Sequence, residues 1–137
     1  MRVKEVMKKT VRTIAPDRPL SEAAEIMKRF DINHVVVTEH GDVAGILSDG
    51  DIARNEGAAN VGAAMSRDVV EVADDELISH AANLMRGHGI KSVVVRHGEK
   101  LAGILTVTDL LEVIGRTGHP ERQVLRDRGI RPRRSGT

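Results

Sequence analysis

Apolar positions along the chain follow two alternating rhythms. Leu20, Ala23, Ala24 and Met27 recur at helical spacing, as do Ile78, Ala81, Ala82 and Met85, and each set predicts a helix with one apolar stripe. The alanines let each helix lie close to whatever it covers. β-Branched runs at 35–38 and 43–47, and again at 93–96 and 101–105, predict pairs of strands. The triplets Val35-Val36-Val37 and Val93-Val94-Val95 suit strands covered on both faces. Glu39-His40-Gly41-Asp42 and His97-Gly98-Glu99-Lys100 then read as hairpin turns. A short extended piece, 11–15 or 69–73, precedes each helix. A second helix is expected after each hairpin, at about 50–56 and 108–115.

These two sets are one pattern used twice. A shift of 58 positions lays Met7 on Met65, Asp17 on Asp75 and Ser21 on Ser79. It also lays Ala44-Gly45-Ile46-Leu47 on Ala102-Gly103-Ile104-Leu105, and Asp51 on Asp109. The match needs no gap from Val3/Val61 to Ile52/Leu110. The chain therefore divides into repeats at 1–58 and 59–116, joined at 57–60, with a tail at 117–137. Each repeat is a βαββα unit with too little apolar surface to be stable alone. Two such units packed face to face would bury a continuous core, giving an α+β sandwich with pseudo-two-fold symmetry. Two equivalent clefts would form where the halves meet, and ligand pockets favour such junctions.

The segments most suggestive of chemistry are Gly45-Ile46-Leu47-Ser48-Asp49-Gly50-Asp51 and Gly103-Ile104-Leu105-Thr106-Val107-Thr108-Asp109. In each, a strand ends at a hydroxyl residue and an Asp follows three positions later as a helix begins. Such a tetrad is close to a capping box, in which hydroxyl and carboxylate each bond the other's backbone N–H. The same carboxylate, facing a cleft, can accept hydrogen bonds from the 2′- and 3′-hydroxyls of a ribose. Backbone donors at the helix start favour a phosphate nearby. One residue can cap a helix and line a pocket, so both readings stand.

The doubled Gly-Ile-Leu-Ser/Thr-x-x-Asp ends and Ser-x-Ala-Ala-x-x-Met helices resemble those of cystathionine-β-synthase (CBS) domain pairs, or Bateman modules. The resemblance runs through nearly the whole chain to about residue 116. It implies tandem repeats packed as a pseudo-two-fold pair, often assembled as a homodimer through helices. It also implies a regulatory module, not an enzyme, that binds AMP, ADP, ATP or S-adenosylmethionine and signals to a protein partner. By the same resemblance, Asp51 and Asp109 hold the ribose, while Ser48 and Thr106 contact ribose or phosphate. Thr13, Ile14, Glu71 and Val72 by the first strands, with His34, Val35, Ser92 and Val93 at the start of the second, would surround the base.

The copies differ at one charged position, where Arg54 in the first repeat faces Glu112 in the second. If both project toward a phosphate, the Asp51 cleft should accept it and the Asp109 cleft should repel it. Asp51 is thus the expected better site, with loss of its ribose contact costing about 1.5–3 kcal/mol.

Composition narrows the field further. Hydrophobic residues make up 40% and charged residues 30%, an ordinary globular balance. The net charge of +1 selects neither nucleic acid nor a membrane surface. Cysteine is absent, which removes disulfides, thiol catalysis and Cys-based zinc sites and fits the cytoplasm. No stretch has the apolar length of a spanning helix. The six histidines form no metal signature, and no phosphate-cradling Gly-rich loop is present. With Phe30 the single aromatic residue, a bound base is expected to rest on aliphatic side chains and backbone. The tail carries seven arginines from Arg116 onward against Glu121 and Asp127. It reads as a disordered or surface-packed segment, with a short helix from about Pro120 and with nucleic acid or an acidic partner as the sharper alternative. The competing reading for the whole chain is a structural or interaction module whose clefts are vestigial.

Overall fold

The structure, a computed structural model, describes residues 1–117, so the expectations for the basic tail beyond them lie outside the described residues. The first repeat comprises β1 (Thr13–Ile14), α1 (Leu20–Phe30), β2 (His34–Glu39), β3 (Asp42–Ser48) and α2 (Asp49–Arg54). A short helix α3 (Val61–Ala64) leads into β4 (Glu71–Ala73), α4 (Ile78–His88), β5 (Ser92–His97), β6 (Lys100–Thr106) and α5 (Val107–Thr117). Each repeat forms a three-stranded sheet, ordered β1-β2-β3 or β4-β5-β6. The first strand runs parallel to the second across its helix, and the hairpin partner is antiparallel. The register is conserved between repeats, with Thr13 opposite Val36 and Glu71 opposite Val94. Among the described residues no helix is long and apolar enough to cross a membrane.

Strand alternation sorts the valine triplets into two layers. Val35 and Val37 pack with Ala23 and Met27 of α1 on the outer face of their sheet. Val93 and Val95 do the same with Ala81 and Met85 of α4. The middle valines, Val36 and Val94, meet Ile46 and Ile104 in a third cluster between the sheets. The expectation of strands covered on both faces therefore holds, and the two sheets share one apolar layer. Both stripe helices end in a left-handed residue, Asp31 or Gly89, followed by a backbone bond from Ile32 to Met27 or from Ile90 to Met85, each 2.9 Å.

The leading segment of each repeat is seated on the other repeat, which the periodicity does not reveal. Val3, fully buried in a 3₁₀ turn, belongs to the core of the second repeat beside Val72, Ala81 and Met85. Lys8 and Ile104 exchange both backbone hydrogen bonds, at 2.9 and 3.1 Å. Reciprocally, Val61 is buried in the first repeat, and Ile46 and Ser66 exchange bonds at 3.0 and 2.8 Å. These crossings explain one glycine in each repeat. A Cβ on Gly45 would stand 2.6 Å from the Ser66 carbonyl oxygen, and one on Gly103 would stand 2.6 Å from that of Lys8. Only a residue without a side chain lets the backbones approach so closely.

Candidate ligand-binding clefts

Both Ser/Thr-x-x-Asp tetrads are complete capping boxes. The Ser48 N–H donates to Asp51 Oδ2 at 2.9 Å, and the Asp51 N–H donates to Ser48 Oγ at 3.0 Å. In the second repeat, Thr106 N–H to Asp109 Oδ2 is 2.9 Å and Asp109 N–H to Thr106 Oγ1 is 3.1 Å. Each carboxylate thus spends one oxygen on its helix and turns the other, Oδ1, to a cation.

The cations come from different places. Arg54, on the same short helix, donates from Nη2 to Asp51 Oδ1 at 2.8 Å. Lys8, on the exchanged leading segment, brings its Nζ within 3.4 Å of Asp109 Oδ1 and 4.0 Å of Glu112. The expected contrast between Arg54 and Glu112 therefore takes another form. Arg54 is engaged with Asp51 itself, and Glu112 is countered by Lys8 and by Arg116 at 3.9 Å. Burial differs as well: the Asp109 side chain is 3% exposed, against 16% for Asp51.

A cavity of about 520 Å³ opens at Asp109, a size suited to a small ligand. It brings together four residues that the sequence singled out, Asp109, Thr106, His34 and Glu112, and adds Thr108, Val36 and Ile104. Its remaining wall comes from Lys8, Lys9 and Arg12 on the way into β1, and from Phe30 and Asp31 at the end of α1. Sequence reasoning missed these residues. Lys8 and Lys9 arrive by the exchange, while Arg12 and Phe30 could have been flagged by what stands 58 positions on, Val70 and His88. This cavity adjoins the more buried carboxylate, Asp109, and not Asp51, the carboxylate that the sequence favoured.

Several expected base contacts lie elsewhere. Ile14 and Val35 are buried against α1, and Val72 and Val93 against α4, so their side chains do not line the cavity. The inward valine is Val36, one position on, because alternate residues of a strand face opposite sides. Thr13 and Glu71 are exposed at the first strands. Ser48, Asp51, Arg54 and the buried Ser92 do not line this cavity; the repeat relates them to Thr106, Asp109, Glu112 and His34, with Ser92 opposite Thr106 in its sheet as His34 is opposite Ser48.

His34 sits between the two motifs. Burial is the largest influence on its imidazole and pushes the pKa below the ordinary 6.5. Lys91 adds to that shift, while Asp49, Asp51 and Asp109 oppose it. The ring is consequently neutral at pH 7, able to donate one hydrogen bond and accept one. Among the described residues no cluster of three or more His, Asp or Glu could hold a metal ion.

Comparisons with known proteins agree with this architecture. The CBS domain model matches residues 3–57 and 61–116. A CBS domain-containing protein of Bacillus subtilis, YhcV, is 31% identical over 114 residues, covering 79% of this chain and 81% of that protein. L-aspartate semialdehyde sulfurtransferase of Methanocaldococcus jannaschii is 32% identical over 117 residues, but they make up only 23% of that enzyme. Among solved structures, the CBS domain pair of MJ0100, in complex with 5′-methylthioadenosine and S-adenosyl-L-methionine, superposes with a TM-score of 0.78 at 29% identity. It covers 86% of this chain and 98% of that one. A CBS-domain protein of Agrobacterium tumefaciens gives 0.75 at 27% identity, over 83% of this chain and 99% of that one. The doubled motif, the paired sheets and the family match over both repeats lead to one conclusion: the chain belongs to the CBS domain family, as a tandem pair.

Proposed function

We propose that the chain is a regulatory module, without catalysis of its own, that binds an adenosine-type ligand between its repeats. The ligand is an adenine nucleotide (AMP, ADP or ATP) or S-adenosylmethionine, and occupancy is passed to a second copy or another protein. The observation that carries this reading is the buried Asp109 carboxylate facing a cavity of about 520 Å³. Its Oδ2 is committed to the helix cap, while its Oδ1, among the described residues, meets the half-exposed Lys8 ammonium at 3.4 Å, a contact long for a hydrogen bond. A ribose diol can take that oxygen and supply shorter, better-aligned hydrogen bonds. Thr106, Thr108 and the neutral His34 add polar partners, and Val36 and Ile104 supply the apolar surface a base needs. The Asp51 cleft, with Ser48 and Ser92, is the second and weaker site, because Arg54 already holds its free oxygen at 2.8 Å. The solved MJ0100 pair, with its two adenosine-type ligands, supports the ligand class.

The reading of vestigial clefts also has an observation behind it. Both aspartates cap their helices through Oδ2 and meet a cation through Oδ1, and no buried side-chain polar atom among the described residues lacks a partner. A thermal-shift panel of AMP, ADP, ATP, S-adenosylmethionine and 5′-methylthioadenosine separates the two. A ligand at 100 times its dissociation constant stabilises by about 2.7 kcal/mol. Asp109→Ala should weaken the best ligand by about 10- to 100-fold, and Asp51→Ala should weaken it less. No shift with any ligand would establish the vestigial reading instead.

A further inference from the structure

One stretch of the Asp109 cavity wall has no counterpart in the other repeat. The guanidinium carbon of Arg12 lies over the Phe30 ring, 3.6 Å from its centroid, and both residues line the cavity. The equivalent positions in the other cleft hold Val70 and His88. A cation over an aromatic face is held there by the ring quadrupole. That contact uses the flat of the guanidinium and leaves its N–H edges as donors, the fork that suits a phosphate. Neither Arg12 nor Lys9, also in the wall, has a carboxylate within ion-pair distance among the described residues. Lys8, by contrast, is taken up by Asp109 and Glu112.

The wall also holds Asp31 and Glu112, the latter met by Lys8 and Arg116; beside them the cavity offers a buried carboxylate for hydroxyl groups and, in Arg12 and Lys9, two cations without a carboxylate partner for an anion. Three residues separate Lys8, beside Asp109, from Arg12, so their backbones, four steps along the chain, lie at most about 14 Å apart. One nucleotide with a phosphate tail can bridge that span. We infer that Arg12, positioned by Phe30 and assisted by Lys9, is the phosphate-binding element of the Asp109 cleft. The cleft on this basis prefers a phosphorylated adenosine to the bare nucleoside. The inference rests on the adenosine-ligand reading above and goes beyond it by naming the residues that select the ligand.

Isothermal titration of the full chain with AMP and with adenosine tests it, in the wild type and in Arg12→Ala, Arg12→Lys and Phe30→Leu. The wild type should bind AMP about tenfold or more tightly than adenosine, the size expected for charge-assisted hydrogen bonds. Arg12→Ala should remove most of that ratio while leaving adenosine affinity unchanged. Arg12→Lys should restore part of it, and Phe30→Leu should reduce it by a smaller factor. A melting temperature for each unliganded variant shows that the protein is folded, and a merely structural role would not move the AMP-to-adenosine ratio. Equal wild-type affinity for the two ligands overturns the inference alone. So does an equal loss of both in Arg12→Ala, which would place Arg12 on the base. If neither ligand binds, the adenosine reading falls and takes the inference with it.

Discussion

The Asp51 and Asp109 regions grow from matching seven-residue segments, which end the same strand in each repeat and open a helix of six residues in one and eleven in the other. Both aspartates close a capping box with bonds of 2.9 to 3.1 Å. What separates them is the origin of the second partner. Arg54 rides on the same short helix as Asp51, so the pair is local. Lys8 reaches Asp109 from the leading segment of the other repeat, so that contact depends on tertiary structure. The cap is present in both places, but the exchange of leading segments puts Lys8 and Lys9 at the Asp109 cavity, where the corresponding positions of the second repeat are Ser66 and Arg67. Equal motifs thus become unequal sites.

The comparison breaks most readily at the crossings. Gly103→Ala should destabilise the fold by about 1–3 kcal/mol, since its Cβ would press on the Lys8 carbonyl and on Met7 Sδ at 2.8 Å. Gly45→Ala meets Ser66 and Met65 at nearly the same distances and should cost as much. Urea unfolding of both variants checks this. Losses differing by more than about 1 kcal/mol would show that the two leading segments are not held alike.

A smaller effect sharpens the contrast between cations. Arg54→Ala removes an exposed pair from a partly exposed carboxylate and should cost under about 0.5 kcal/mol. Lys8→Ala leaves the buried Asp109 oxygen without its cation and should cost on the order of 1 kcal/mol. The same denaturation experiments, repeated at high salt, should narrow the gap, because Lys8 is half-exposed and screened.

The smallest effect concerns pH. Burial holds the His34 pKa below 6.5, so as pH falls the unfolded chain takes up this proton before the folded one does. Its contribution is fully present above pH 6.5 and is lost as pH drops from there through the lower folded value. Stability of the wild type minus that of His34→Gln, followed across that window, should therefore decline on acidification. A flat difference would mean that His34 titrates alike in both states.

Much of the architecture was legible in the residues. The stripe at Leu20, Ala23 and Met27 and the valine triplets predicted the helix and strands that the structure contains, because periodicity reports which face is covered. The motif located both capping boxes. The cleft wall was harder to read. Val35-Val36-Val37 carries no polar contrast, so the residue facing the second sheet could not be told from its neighbours. Four-residue α3 is too short to show a period. Phe30 looked too isolated to serve a ligand, because sequence does not show that Arg12 lies over it.

The twofold repetition, the βαββα order of each repeat, the helix caps at Asp51 and Asp109, and the family are all readable from the residues in order. Those follow from local spacing and self-similarity, which survive in one dimension. Only the tertiary structure decided that the leading segments change places, that Gly45 and Gly103 must be bare to let them cross, and that the cavity opens beside Asp109. Contacts between residues 73 to 96 positions apart, as from Arg2 to Asp75 and from Lys8 to Ile104, leave no periodic trace in the chain. Packing alone sets them.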